Sequence, residues 1–146
     1  MPDFILDNYA AGNLSGEFSA AALFVDVSGF SAMTDALMRH GQHGAEVLAG
    51  VMRRTFDPLI RSVFEQGGFI AIQAGDAFTA IFPLRDVPDE NGLRALAAAW
   101  NIQQEMAARP SHSTPYGEFP VTVKVGAALG PVDWGILQSE TGIQAA

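Results

Sequence analysis

At 146 residues with 49% hydrophobic composition, the chain is sized for one folded domain with a full core. Its formal net charge of −8 argues against nucleic acid or an anionic membrane as an electrostatically steered partner, and a small anionic ligand would need metal to mask the repulsion. The chain has no cysteine, so there is no disulfide framework and no thiolate metal site, which suits a reducing cytoplasm. No run approaches ~18 apolar residues, and neither export nor a membrane span is read in these residues.

Residues 1–18 read as an N-terminal arm, with Pro2, Gly12, Asn13 and Gly16 among scattered Phe4, Ile5, Leu6 and Tyr9, and residues 19–146 as the domain proper. From Ala21 the sequence AALFVDVSGFS is a near-continuous apolar run, the pattern of a strand buried on both faces, and its single carboxylate is Asp26. A carboxylate buried there has to be hydrogen-bonded, paired or bound to a metal. The strand then turns through Ser28-Gly29 into a helix over Ala32 to Arg39 with Ser31 as its N-cap. Met33 and Leu37 face inward on it. His40-Gly41-Gln42-His43-Gly44 breaks that helix, and Ala45 to Gln66 forms a long one kinked or interrupted at Pro58.

Gly67-Gly68 ends the second helix, and Phe69 to Gln73 with Ala77 to Phe82 form a hairpin carrying Asp76 at its tip. Leu84 to Asn91 is a solvated loop. Glu90 to Arg109 is a helix whose apolar face is expected to run Leu93, Leu96, Ala97, Trp100 and Ala107. Ser111 to Glu118 reads as loop. Val121 to Leu129 alternates, with Thr122 and Lys124 on its wetter face, and Gly130-Pro131 turns the chain toward a last strand over Val132 to Leu137.

The order strand, helix pair, strand, strand, helix, strand is that of an α+β, ferredoxin-like (palm-like) βααββαβ sandwich, an antiparallel sheet with helices on one face. In it the first strand lies beside the third, so Asp26 and Asp76 become neighbours. Two carboxylates suit Mg²⁺, which prefers oxygen ligands and is commonly held by one or two carboxylates plus substrate phosphates. Free amides at the glycine turn suit an anion. Each acid has a plainer reading as well: Asp26 as a helix cap, Asp76 as a turn residue. His40 and His43 suggest zinc, but no third ligand lies near in sequence, and a solvated turn accounts for them. Met33, Met38 and Met52 read as core filler, Trp100 as a core residue and Lys124 as solvating a strand face.

The segments LFVDVSGFSAMTDAL, EQGGFIAIQAGDAFTAIFP and VKVGAALGPVDWG resemble, in order and spacing, the class III adenylate/guanylate cyclase catalytic domain over about Phe18 to Gly135. The resemblance implies that Asp26, Asp76 and the main-chain carbonyl of Val27 bind two ions, Mg²⁺ or Mn²⁺. It implies that amides of Ser28, Gly29, Phe30 and Ser31 hold the triphosphate of ATP or GTP. It further implies a second cyclase domain as dimer partner, with conversion of the nucleotide to a cyclic monophosphate and pyrophosphate. Two departures stand out. Ile72 occupies the position where purine-selecting members carry lysine. The family's asparagine and arginine motif would fall beyond Gln138 and has no counterpart here, so this chain alone is expected to be inactive. A non-catalytic cyclase-homology domain, serving as a dimerisation or nucleotide-sensing module of a larger protein, is the rival expectation.

Overall fold

The computed structural model describes residues 3–84, 92–139 and 142–145. The elements in chain order are α1 (Asp3–Ala10), β1 (Ser15–Ser28), α2 (Phe30–Met38), α3 (Gly41–Glu65), β2 (Phe69–Ala74), β3 (Ala77–Pro83), α4 (Leu93–Ala108), β4 (Ser111–Thr114), β5 (Gly117–Pro120), β6 (Thr122–Ser139) and β7 (Gly142–Ala145). Five strands make one antiparallel sheet in the order β2-β3-β1-β6-β7, and β4 and β5 form a separate hairpin. The expected α+β sandwich is therefore present, with β1 central and β3 beside it.

The main core lies between one sheet face and α2, α3 and α4. Leu23, Val25 and Val27 of β1 meet Met33 and Leu37 of α2, Val51, Leu59 and Val63 of α3, and Ile102 of α4, all of them buried. Each such side chain stabilises the fold by about 1.5–3 kcal/mol relative to leaving it in water. The apolar run around Asp26 is thus buried on one face only. Phe24 is 52% exposed and Asp26 is exposed, so the expectation of a strand buried on both faces is corrected.

Several local expectations are also revised. β1 begins at Ser15, inside the expected arm. The cap of α2 is Gly29 in the left-handed region, with no side-chain cap, and Ser31 lies inside the helix. α3 starts at Gly41, so the histidine-glycine stretch opens the helix, and Pro58 sits within it without a break. Proline supplies no N–H to the carbonyl four residues back. At Arg54 that carbonyl instead accepts from Arg109 Nη1 at 3.4 Å. The expected loop at 111–118 is the β4–β5 hairpin, and Gly130-Pro131 does not turn the chain but pairs with Ala20 and Ser19 inside β6. The loop expected at Leu84 to Asn91 lies outside the described residues beyond Leu84.

α4 presents a different face from the one its large residues suggest. Ala95, Ala98, Ile102 and Met106 are buried, while Leu93, Leu96 and Trp100 are more than half exposed. The small residues let α4 close on the core, and bulk alone pointed to the wrong stripe. Among the methionines, Met33 is buried and Met52 packs on the core, but Met38 is exposed.

On the opposite sheet face, α1 covers one end. Phe18 and Trp134 are related to Asp26 and Lys124 by even steps along β1 and β6, which places all four on that face. Ile5 is buried there with Trp134 and Ile136, and Phe4 meets the Phe18 ring at 4.9 Å and the Trp134 ring at 6.2 Å. Among the described residues the other end of the face stays open.

Candidate functional site

The open end of that face is a cleft of about 480 Å³ lined by Phe24 and Asp26 of β1, Ile72 and Ala74 of β2, Ala77 and Thr79 of β3, and Lys124 and Gly126 of β6, among others. Register places the key residues side by side. Asp26 lies between Ala77 on β3 and Lys124 on β6, and Phe24 lies between Thr79 and Gly126. Ile72 reaches the cleft through a register shift between Ile70 and Ile72. The shift pairs Ile72 with Thr79 and leaves it 64% exposed. Strict alternation from Phe69 would have sent Ile72 to the helix side instead.

Asp76 lies in the turn between Ala74 and Ala77, two residues that line the cleft. The β2–β3 turn is Gly75-Asp76, and Gly75 takes a φ of 60°, which glycine adopts without strain. The Val27 N–H donates to the Asp76 carbonyl at 2.9 Å, tying the turn to the end of β1. Asp26, Val27 and Asp76 are thereby brought together. Beyond them Ser28 leads into Gly29, whose φ of 114° directs the chain into α2. With no side-chain cap on this helix, its first amides are available to an anion, and the helix dipole favours one.

The donor set fits a hard divalent cation. It offers two carboxylates, Asp26 exposed and Asp76 half-buried, beside a fully buried Val27, and among the described residues no salt bridge engages Asp26 or Asp76. No three acids or histidines gather into a metal centre among the described residues, so further coordination at this pair would come from backbone, water or phosphate. His40 and His43 likewise gain no third ligand of those types. Both instead contact Tyr116: its ring stacks on His40 at 3.8 Å and its hydroxyl bonds His43 Nδ1.

Lys124, read from the sequence as solvating a strand face, is exposed on that face and lines the cleft. It is the only lysine in the chain and, among the described residues, the only cation lining the cleft, directly across the strand pair from Asp26. No helix among the described residues is long and apolar enough to cross a membrane.

No family model matches the chain. Adenylate cyclase type 10 of Oryctolagus cuniculus is 27% identical over 128 residues, which is 85% of this chain and 8% of that protein. The chain thus spans less than a tenth of that curated relative. The structure of a bacterial light-regulated adenylyl cyclase superimposes with a TM-score of 0.73 at 20% identity, covering 99% of this chain and 42% of that one. The guanylate cyclase domain of RhGC from Catenaria anguillulae, solved in complex with GTP, gives 0.67 at 17% identity, covering 90% of this chain and 66% of that one. The fold is that of the class III cyclase catalytic domain, and the sequence resemblance to cyclase-homology domains holds over most of the chain.

Proposed function

We propose that the chain is a class III nucleotidyl cyclase domain supplying the metal and triphosphate half of an active site. The observation that carries this reading is the hydrogen bond from the Val27 N–H to the Asp76 carbonyl, which ties the hairpin turn to β1 beside cleft-lining Asp26 and the glycine turn that starts α2. Asp26, Asp76 and the Val27 carbonyl would hold two ions, Mg²⁺ or Mn²⁺. Such ions, when bound, neutralise phosphate charge and polarise the groups of an in-line displacement at phosphorus. The amides of Ser28, Gly29, Phe30 and Ser31 hold phosphate oxygens of ATP or GTP, and Lys124 adds a positive charge on the cleft floor. Those contacts fix the triphosphate so that the ribose 3′-hydroxyl can displace pyrophosphate, giving the cyclic 3′,5′-monophosphate.

The exposed apolar side chains of the cleft, Phe24 and Ile72, suit a second cyclase domain docked over it. That partner supplies the donors to the developing charge, since among the described residues neither asparagine nor arginine lines the cleft. A missing donor of this kind costs ~10²–10³ in rate, so residues 1–146 alone should form little product. One feature favours a second reading, a non-catalytic module that pairs or senses nucleotide: Ile72 offers a purine no hydrogen bond.

Mn²⁺ binding followed by electron paramagnetic resonance, with and without ATP or GTP, tests the site. The wild type should bind Mn²⁺ more tightly with nucleotide, and Asp26→Asn and Asp76→Asn should each abolish that gain. Equal binding in both variants would remove the metal assignment. Robust cyclic nucleotide formation by pure 1–146 would overturn the half-site reading.

A further inference from the structure

The chain's three histidines all lie where the β4–β5 hairpin meets the helices. His112 of β4 is buried, and its Nε2 is 3.0 Å from Thr55 Oγ1 on α3. The Thr55 hydroxyl donates to the Val51 carbonyl at 2.9 Å, so it accepts from His112 and the neutral imidazole carries its proton on Nε2. Nδ1 is then the atom that can take up a second proton. Charged groups reach this spot from both helices packed on it, Arg54 from α3 and Glu105 with the capping Arg109 from α4, while Glu118 of β5 pairs with Ser113 on the other face of the hairpin. Glu105 is paired with Arg109 at 2.8 Å, and Glu118 accepts from Ser111 at 3.4 Å. Burial first, then the Arg54 and Arg109 guanidiniums, hold the His112 pKa below its ordinary value.

The same hairpin presses on the glycine turn. Its base is closed by the Val121 N–H donating to the Pro110 carbonyl at 2.9 Å, and the Pro120 carbonyl fills the space a Cβ at Gly29 would need. At the other end the Tyr116 hydroxyl can donate to or accept from His43 Nδ1, and His40 and His43 are exposed. The tip contact therefore tolerates either protonation state.

We propose that the β4–β5 hairpin is an acid-released strap. A proton taken up at His112 Nδ1 places a third cation beside Arg54 and Arg109, lifts the hairpin base from α3 and frees the Gly29 turn from Pro120. The lifted hairpin exposes His112 to water, where its pKa is the ordinary 6.5, above the docked value. The contribution of His112 to docking is thus fully present above about pH 6.5 and is lost as the pH falls toward the docked pKa, by up to about tenfold per pH unit between the two values. Only the consequence for a triphosphate on residues Ser28 to Ser31 rests on the cyclase reading.

The test uses the full chain without nucleotide, so its outcome is separate from that of the cyclase proposal. NMR titration from pH 7.5 to 5 should show His112 titrating below its ordinary value. Over the same range the Val121 amide should lose hydrogen-exchange protection, corrected for intrinsic rate, and the Gly29 amide shift should move with the same midpoint. His112→Gln keeps a side-chain N–H for Thr55 but does not titrate, so its Val121 protection should be flat with pH. If that variant does not fold, the double variant His40→Gln/His43→Gln should retain the wild-type pH dependence. The proposal is overturned if His112 titrates at or above its ordinary value, if His112→Gln keeps the pH dependence, or if the double variant loses it.

Discussion

Replacing Gly29 by alanine isolates the contact between the glycine turn and the hairpin. The φ of 114° lies in the left-handed region, where an L side chain costs about 1–2 kcal/mol. The added Cβ would also overlap the Pro120 carbonyl and sit 3.4 Å from Val121 Cα, both backbone groups that cannot rotate away. Overpacking of that kind costs about 1–3 kcal/mol, for a total of roughly 2–5 kcal/mol. With about 2–4 °C per kcal/mol for a domain of this size, Gly29→Ala should melt roughly 4–20 °C below the wild type. Gly117→Ala is the control. Its φ of 128° is comparable, but nothing lies within 4 Å of the new Cβ, so only the strain remains. Thermal unfolding by circular dichroism should rank wild type above Gly117→Ala above Gly29→Ala. Equal melting of the two variants would refute the claim that Pro120 presses on the turn.

Two further substitutions probe the cleft. Lys124→Ala should leave the melting temperature within the range of an ordinary surface change, about 0.5 kcal/mol, and weaken Mn²⁺-nucleotide binding measured by calorimetry. Unchanged affinity would return Lys124 to a solvating role. Ile72→Lys should fold normally because the bulged strand already exposes this side chain, and it should lower self-association in sedimentation velocity; an unfolded variant would mean that Ile72 packs beneath the helices after all.

The fold was legible because its signals are local and repeated: the 3.6 period of α3, the GD turn between two β-rich runs, and the alternation that begins at Val121. The proximity of Asp26 and Asp76 followed from topology alone. What stayed hidden depended on partners distant in sequence. Whether the run around Asp26 is covered on one face or two is decided by where α1 and the other helices lie, and no local pattern records that. A one-residue bulge in β2 turns Ile72 from the helix side to the cleft. Gly130-Pro131 reads as a turn by composition, yet pairing with Ser19 and Ala20 holds it extended. In α4, alanines chosen for close approach carry the buried face, and large residues outside it misled a reading weighted by size.

The small helix at the N-terminus sets how much of the cleft face a partner can use. Eight residues are too few for a stable helix in water, so α1 is helical because it is docked. Its buried anchor is Ile5, packed with Trp134 and Ile136, while Phe4 lies against Phe18 and Trp134. A second domain approaching this face therefore meets the Asp26 end open and the Phe18 end covered. Ile5→Ala removes buried methyl groups at a typical cost of about 2–5 kcal/mol, more than so short a helix can lose and stay in place. The core beneath α2, α3 and α4 is a separate cluster and should keep its melting transition. Trp134 is 9% exposed and Trp100 is 67% exposed, so in a Trp100→Phe background the emission reports α1 directly. Ile5→Ala should red-shift that emission, raise its quenching by iodide and increase self-association through the newly bared Phe18 and Trp134. Emission and quenching identical to the parent would show that α1 does not cover this end of the sheet.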